Sequence, residues 1–255
     1  MWDPTKYLDF ADDRSRPFFD LLARVPAAAP RRIADLGCGP GNLTETLAAR
    51  WPGAIIEAVD SSPEMVDAAR ERGIAAEIGD VREWSPRADT DVVVSNAVLQ
   101  WVPGHAELLE RWTTRLPPGA WLAFQVPGNF DAPSHVRVRE LAADPRWLDR
   151  LAPVMLREDD AMLAPDAYAG LLVDAGCEVD VWETTYLHRL SGADPVLEWV
   201  TGTALRPIRS TLDEREWTDF RAALAPLLRA DYPARTDGTT WFPFRRVFVV
   251  ARIAW

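Results

Sequence analysis

IADLGCGPG, residues 33–41, sets three glycines within five residues directly behind an apolar run. The pattern reads as a buried strand that runs into a tight turn, where missing side chains let backbone approach a ligand. A dinucleotide-binding turn carries Gly-x-Gly-x-x-Gly and rests a pyrophosphate on the next helix N-terminus. Here the glycines fall at 37, 39 and 41, and Asn42 stands where the third fingerprint glycine belongs. A phosphate loop is excluded more firmly, because no Gly-Lys-Ser/Thr follows. Asp35, two residues before Gly37, sits at the mouth of the turn. A carboxylate there repels a pyrophosphate and suits an ammonium group.

Outward from this turn, strands alternate with helices. Arg32 to Leu36 reads as a short buried strand, and Asn42 to Arg50 as a helix stopped by Trp51-Pro52. Ile55 to Asp60 is a second strand. SSPEMVDAARERG is a second helix, with Ser62 as cap, Pro63 as first helical residue and Gly73 as stop. Ala75 to Ile78 is strand-like. DVVVSNAVL opens on a continuous β-branched run, as in a strand buried on both faces. His105 to Leu116 carries Leu108, Trp112 and Leu116 on one helical stripe, and PPGAWLAFQVPG is a turn into a fifth strand. This rhythm predicts a parallel sheet covered by helices.

After Pro127 the rhythm breaks. Residues 129–176 look helical and irregular, CEVDVWETTYLHRL alternates like a strand, Asp194 to Arg229 is helical again, and RRVFVVARIAW is a terminal strand. The expected fold is α/β: a Rossmann-like, seven-stranded, mostly parallel sheet with a terminal antiparallel hairpin and an inserted helical cap. The reading is one domain over 1–255. It has an N-terminal lid at 1–30, a core at 31–130, cap insertions at 131–176 and 190–244, and hairpin strands at 177–189 and 245–255. The cap is expected over the strand carboxyl ends, where open α/β sheets bind ligands.

Two more aspartates define the ligand. Asp60 ends the second strand, 25 residues beyond Asp35, where an acidic side chain accepts from ribose hydroxyls. Asp80 ends the third strand with Val81 beside it, placed for an exocyclic amine next to an apolar wall. A ligand with an ammonium group, a ribose, an adenine and no phosphate is described by S-adenosylmethionine (SAM).

ADLGCGPGN, AVDSS, IGDVREW and VVSNAVLQWV, in that order, resemble the successive motifs of class I SAM-dependent methyltransferases. The resemblance covers Arg31 to Asn129. It implies that Asp35 and the Gly37, Gly39 and Gly41 turn hold the methionine part and that Asp60, with Ser61 beside it, holds the ribose. It also implies that Asp80 and Val81 flank the adenine, and that Asn96, Ala97 and Trp101 line the floor under the sulfonium. Cys38 reads as a small packing residue.

The acceptor follows from what the fourth motif contains. Amine-modifying relatives often carry Asn-Pro-Pro-Tyr there; this chain has Ser95-Asn96-Ala97-Val98, with no His or Asp as an obvious base. A carboxylate acceptor needs no base, since it is ionised near pH 7. It needs cationic partners, preferably arginines. WVTGTALRPIRS supplies Arg206 and Arg209, three apart with Pro207 between them, and the terminal strand supplies Arg245 and Arg246. Tyr7, Gln100, Gln125 and His188 complete the acceptor-side candidates, with Tyr7, Arg14 and Arg16 in the segment expected to close as a lid. WDPTKYLDFADDRSRPFFDLL, SNAVLQWVPGH, FQVPGNFDAPSH, EWVTGTALRP and WFPFRRVFVVAR carry a narrower resemblance to small-acid carboxyl methyltransferases. It implies methyl esterification of trans-aconitate, a small tricarboxylate. Another O- or C-methylation and a non-enzymatic SAM-binding module are the competing readings.

Composition sets the outer bounds. The 255 residues are 48% hydrophobic and 26% charged, which suits a chain with a sizeable core. A net charge of −11 argues against a nucleic-acid partner, which needs a basic patch. No apolar run reaches membrane-span length and no secretory leader is visible, so the expected location is the cytoplasm. Two cysteines, Cys38 and Cys177, form neither a disulfide scaffold nor a metal-ligand pattern.

Overall fold

A computed structural model of the chain describes residues 11–154, 156 and 162–254. The chain divides into two compact units. The first runs to Pro127 and takes in Met162–Thr184 and the segment from Arg246; the second is Gly128–Ala161 with Thr185–Arg245.

The first unit is built on a seven-stranded sheet in the order β3-β2-β1-β4-β5-β7-β6. Its strands are β1 Arg32–Leu36, β2 Ile55–Asp60, β3 Ala76–Ile78, β4 Thr90–Asn96, β5 Trp121–Pro127, β6 Cys177–Ser191 and β7 Thr239–Ile253. β1 pairs in parallel with β2 and β4, β2 with β3, and β4 with β5. β7 runs antiparallel to β5, with Phe124 opposite Val249. The strand order reverses between β1 and β4, and the glycine turn leaves the carboxyl end of β1 at that switch, where open α/β sheets form a crevice.

The helices follow from their sequences. α1 (Ala11–Leu22) buries Phe18, Leu21 and Leu22. α2 (Thr44–Arg50) follows the glycine turn. In α3 (Pro63–Glu71) the Ser62 hydroxyl accepts from the Met65 N–H at 3.4 Å, with Pro63 in the first turn as its fixed φ favours. α4 (His105–Thr113) buries Leu108 and Trp112, with Leu116 just beyond on the same stripe.

Three boundaries differ from the sequence reading. Residues 15–30 are no loose lid. Phe18, Leu21 and Val25 are fully buried, and Arg50 donates to the carbonyls of Leu22 at 2.6 Å and Val25 at 2.8 Å. The first insertion ends before residue 176, because α7 (Pro165–Asp174) belongs to the sheet unit. Its Tyr168 is fully buried there, against Phe124 and hydrogen-bonded to His105 Nε2 at 2.7 Å. Finally, β7 starts at Thr239 and β6 runs to Ser191, so strand replaces the end of the second insertion. Thr240, Phe242 and Phe244 are buried while Trp241 and Pro243 are exposed, a period-2 pattern that the aromatic WFPF letters conceal.

The second unit contains α5 (Pro133–Ala142), α6 (Leu148–Leu151), α8 (Pro195–Thr201), α9 (Arg206–Thr211) and α10 (Glu214–Asp231). Trp199, Phe242 and Phe244 form its aromatic centre. The Ser134 N–H donates to Tyr232 Oη at 3.1 Å, and Arg137 Nε to Asp231 at 2.8 Å, which tie α5 to the end of α10.

Candidate active site

The crevice at the switch point is lined by Phe18, Asp35, Gly37, Gly39, Asn42 and Asn96, among others. Two glycines explain its floor. A Cβ on Gly37, at φ +82°, would stand 2.1 Å from Val98 Cγ2, so only glycine fits. Gly39, at φ +56°, has nothing within 4 Å of its missing side chain, so its backbone lies open.

Asp35 is 3% exposed, and the Thr44 hydroxyl donates to its Oδ2 at 2.6 Å. Burial pushes its carboxyl up to about 6; the Thr44 hydrogen bond opposes that rise and the neighbouring Asp60 adds to it. Asp60 accepts the Gly39 N–H on Oδ2 and the Ser62 N–H on Oδ1, both at 2.9 Å. Its carboxyl is also held above the usual range by burial, against the N–H groups of Ser62, Gly39 and Ser61. The turn is closed onto β2 by the Gly37 and Cys38 N–H groups, which donate to the Val59 carbonyl at 2.7 and 3.0 Å. Two desolvated carboxylates side by side, Asp35 buried and Asp60 half-buried, disfavour an anion and favour a cation with hydroxyl donors.

Ser61 is exposed beside Asp60, and Val81 is buried beside Asp80. Asp80 is gripped by Arg82, which donates from Nε at 3.0 Å and Nη2 at 2.5 Å and holds the carboxyl below its usual range. Cys38 packs with Ala58, Val66, Ala69 and Ala76, and burial pushes its thiol up, so it is an inert filler.

At the end of β4, Asn96 lines the crevice and Ala97 adopts φ +59°, a left-handed conformation rare outside glycine. Gln125 Nε2 donates to Asn96 Oδ1 at 2.6 Å, and Arg246 Nη1 donates to Gln125 Oε1 at 3.0 Å. Arg246 is 6% exposed. Gln100 donates to the Ala97 carbonyl at 2.6 Å, and its Oε1 is buried with no hydrogen-bond partner among the described residues. Trp101 is 37% exposed.

Arg206, Arg209, Arg245 and His188 lie in the second unit. Arg206 and Arg209 are one turn apart on α9, with Pro207 in the first turn, where it starts the helix rather than breaking it. Arg209 pairs with Glu214 and lies over the Trp217 ring. Arg245 stands 3.8 Å from Asp131. His188 is buried against Trp199, with ring centroids 4.5 Å apart. Tyr7 lies outside the described residues, as does the side chain of Arg14. Sequence reasoning missed Thr44 and Phe18, and it named Arg246 only as a cation beside Arg245, not as the partner of Gln125. Neither Thr44 nor Phe18 carries a local signal: each reaches the crevice or its support through the fold rather than through a motif.

Among the described residues no group of three or more His, Cys, Asp or Glu could hold a metal, and no helix is long and apolar enough to cross a membrane. The lining fits SAM, a cation with hydroxyl groups: two desolvated acids stand beside a turn whose glycines leave room for close approach. The chain belongs to the class I SAM-dependent methyltransferases; a methyltransferase-domain family model matches residues 10–181. Within that class it is 64% identical over 253 residues to trans-aconitate 2-methyltransferase of Rhodococcus jostii (strain RHA1), covering 99% of this chain and 100% of the relative. It is 56% identical to trans-aconitate 2-methyltransferase of Mycobacterium tuberculosis (strain ATCC 25177 / H37Ra), covering 99% and 97%. The YcgJ protein of Bacillus subtilis shares the fold, with TM-score 0.61 and 13% identity over 94% of this chain and 99% of that one.

Proposed function

We propose that this chain transfers the SAM methyl group to a carboxylate of trans-aconitate, or of a closely related small polycarboxylate, giving a methyl ester. What carries the acceptor is the 64% identity to a trans-aconitate 2-methyltransferase over 99% of the chain. When bound, SAM supplies a methyl carbon made electrophilic by sulfur: the carboxylate oxygen bonds to it as the carbon–sulfur bond breaks, the electron pair staying on sulfur. No proton moves, so the protein's work is alignment and exclusion of water.

Each residue then has a task. Asp35, ionised at pH 7, faces the ammonium group, with Gly37, Gly39 and Gly41 giving close backbone approach. Asp60, with Ser61, takes the ribose hydroxyls, its carboxylate fixed by the Gly39 and Ser62 N–H groups. Asp80 and Val81 take the adenine; Asp80 has to share the grip of Arg82 to do so. Asn96, Ala97 and Trp101 form the floor at the reacting end, backed by Gln100 and Gln125. Arg206, Arg209 and Arg245 supply positive charge for the acid, while Tyr7 and His188 shape its surroundings. The acceptor is a free small acid rather than nucleic acid, and the reaction takes place in the cytoplasm.

The test is a panel of di- and tricarboxylates with methyl-labelled SAM. A base-labile labelled product with trans-aconitate as best acceptor is expected. A base-stable product overturns the ester reading, and no transfer to any acid overturns the acceptor class.

A further inference from the structure

The buried relay Arg246–Gln125–Asn96 fixes which atom the chain presents to its acceptor. Arginine can only donate. Its Nη1 contact at 3.0 Å therefore requires an oxygen on Gln125, which makes Oε1 the near atom and leaves Nε2 as the donor at the other end. That donor, 2.6 Å from Asn96, requires an oxygen in turn, so it is Oδ1 of Asn96 that faces Gln125. What Asn96 has left for the crevice it lines is Nδ2, a two-proton donor with no acceptor among the described residues. The orientation of both amides is thus set by the charge on a guanidinium two residues away in the relay, and that charge persists at every working pH.

We infer that Arg246 is a positioning residue for polarity: acting through Gln125, it turns the Asn96 amide so that N–H, not C=O, meets the acceptor. A donor in that place holds a carboxylate oxygen and repels an amine, whose own N–H groups need an acceptor. The sequence at the end of β4 has asparagine whichever chemistry is served; the relay behind it decides the sign. Arg246 and Gln125 are diagonal neighbours on the antiparallel β5 and β7, with Gln125 opposite Phe248 and Pro127 opposite Arg246. The inference rests on the carboxylate reading above and adds the residues that select for it.

The test measures binding of trans-aconitate by calorimetry to protein saturated with S-adenosylhomocysteine, alongside steady-state kinetics. Arg246→Met keeps length and apolar bulk but cannot donate, so Gln125 and Asn96 are free to flip. Acceptor Kd and KM should rise about tenfold or more, as for a lost hydrogen bond to a charged group. Arg246→Lys restores a donor and should recover to within about threefold of wild type. Asn96→Asp keeps the shape and replaces the donor with a carboxylate; acceptor affinity should fall at least as far, with circular dichroism and the thermal midpoint reporting that the fold is kept. Acceptor Kd unchanged in both Arg246→Met and Asn96→Asp overturns the relay, as does Arg246→Lys behaving like Arg246→Met. If wild-type protein neither binds nor methylates any carboxylic acid, the carboxylate reading itself falls and takes the relay's purpose with it, a result distinct from those of the variants.

Discussion

Thr44→Val should move the pH dependence of cofactor binding without altering the shape of the crevice. The Thr44 hydroxyl donates to Asp35 Oδ2 at 2.6 Å inside the core, and it is what holds the carboxyl down against burial. In wild type the carboxyl titrates at about 6. Only its ionised form attracts the ammonium group, so log affinity for SAM should be flat above about pH 7 and fall with a slope approaching one below about 6, with a proton released on binding. A buried hydrogen bond to a charged group is worth about 1.5–3 kcal/mol, or about 1–2 pH units. Valine is nearly the same size, so the substitution should shift the step to about 7–8 and weaken binding about two- to tenfold at pH 7, with the curves converging above about pH 8.5. Calorimetry in two buffers of different ionisation enthalpy reads both affinity and proton count. A step at the wild-type position, or a pH-independent loss, refutes the linkage. Asp35→Asn is the control: the step disappears. The unliganded fold gains stability at pH 7, because native Asp35 binds its proton more tightly than the unfolded chain does and ionising it costs about 3 kcal/mol above pH 6.

Asp60→Ala removes the acceptor for two backbone N–H groups as well as the proposed ribose contact, and should weaken SAM binding by about 1.5–3 kcal/mol at pH 7.5 by calorimetry. Arg206→Ala and Arg209→Ala should each raise acceptor KM about tenfold while SAM affinity stays within about twofold; unchanged KM in both excludes them from the acid's site. Gly37→Ala drives a methyl into Val98 and should cost about 2 kcal/mol or more, a fall in Tm of about 4–8 °C. Combined with Val98→Ala, the steric part should be relieved and the strain of a positive φ should remain.

The acidic crevice at the switch point is legible because its pattern is local. Asp35 precedes its turn by two residues, Asp60 ends β2 and Asp80 follows β3 by two residues, and the carboxyl end of a strand in a parallel sheet is a position the letters give directly. The same holds for the helix of Ser62 and Pro63, whose cap and first turn are written in adjacent residues. Thr44 and Arg246 are opposite cases. Thr44 is an ordinary helix residue until the turn folds back and puts its hydroxyl on Asp35. Arg246 is half of an Arg-Arg pair in which alternation alone cannot say which side chain is buried. The structure buries Arg246 under Gln125, 121 residues away in sequence, and leaves Arg245 near Asp131. The early start of β7 was hidden for a related reason: an aromatic run satisfies helix and strand patterns alike until its exposure is seen to alternate.

The two raised carboxyls give this crevice a definite energetic character. Asp35 is buried and Asp60 half-buried, both are held up by desolvation, and Asp60 adds to the rise at Asp35. A fold optimised for stability alone would replace one of them with an amide. Their retention makes sense if the missing charge arrives with the ligand: a cation beside Asp35 and hydroxyl donors on Asp60 would lower both carboxyls together. Binding would then stabilise the fold by more than its contacts alone, since it also removes a like-charge repulsion already present in the unliganded chain. The same logic excludes the ligand that the glycine turn first suggests. A pyrophosphate would add charge of the same sign to a place that already carries two desolvated acids, and the N–H groups that would have to receive it at Gly37, Cys38 and Gly39 are committed to Val59 and Asp60. The turn and the acids are therefore one device, and it selects a cation.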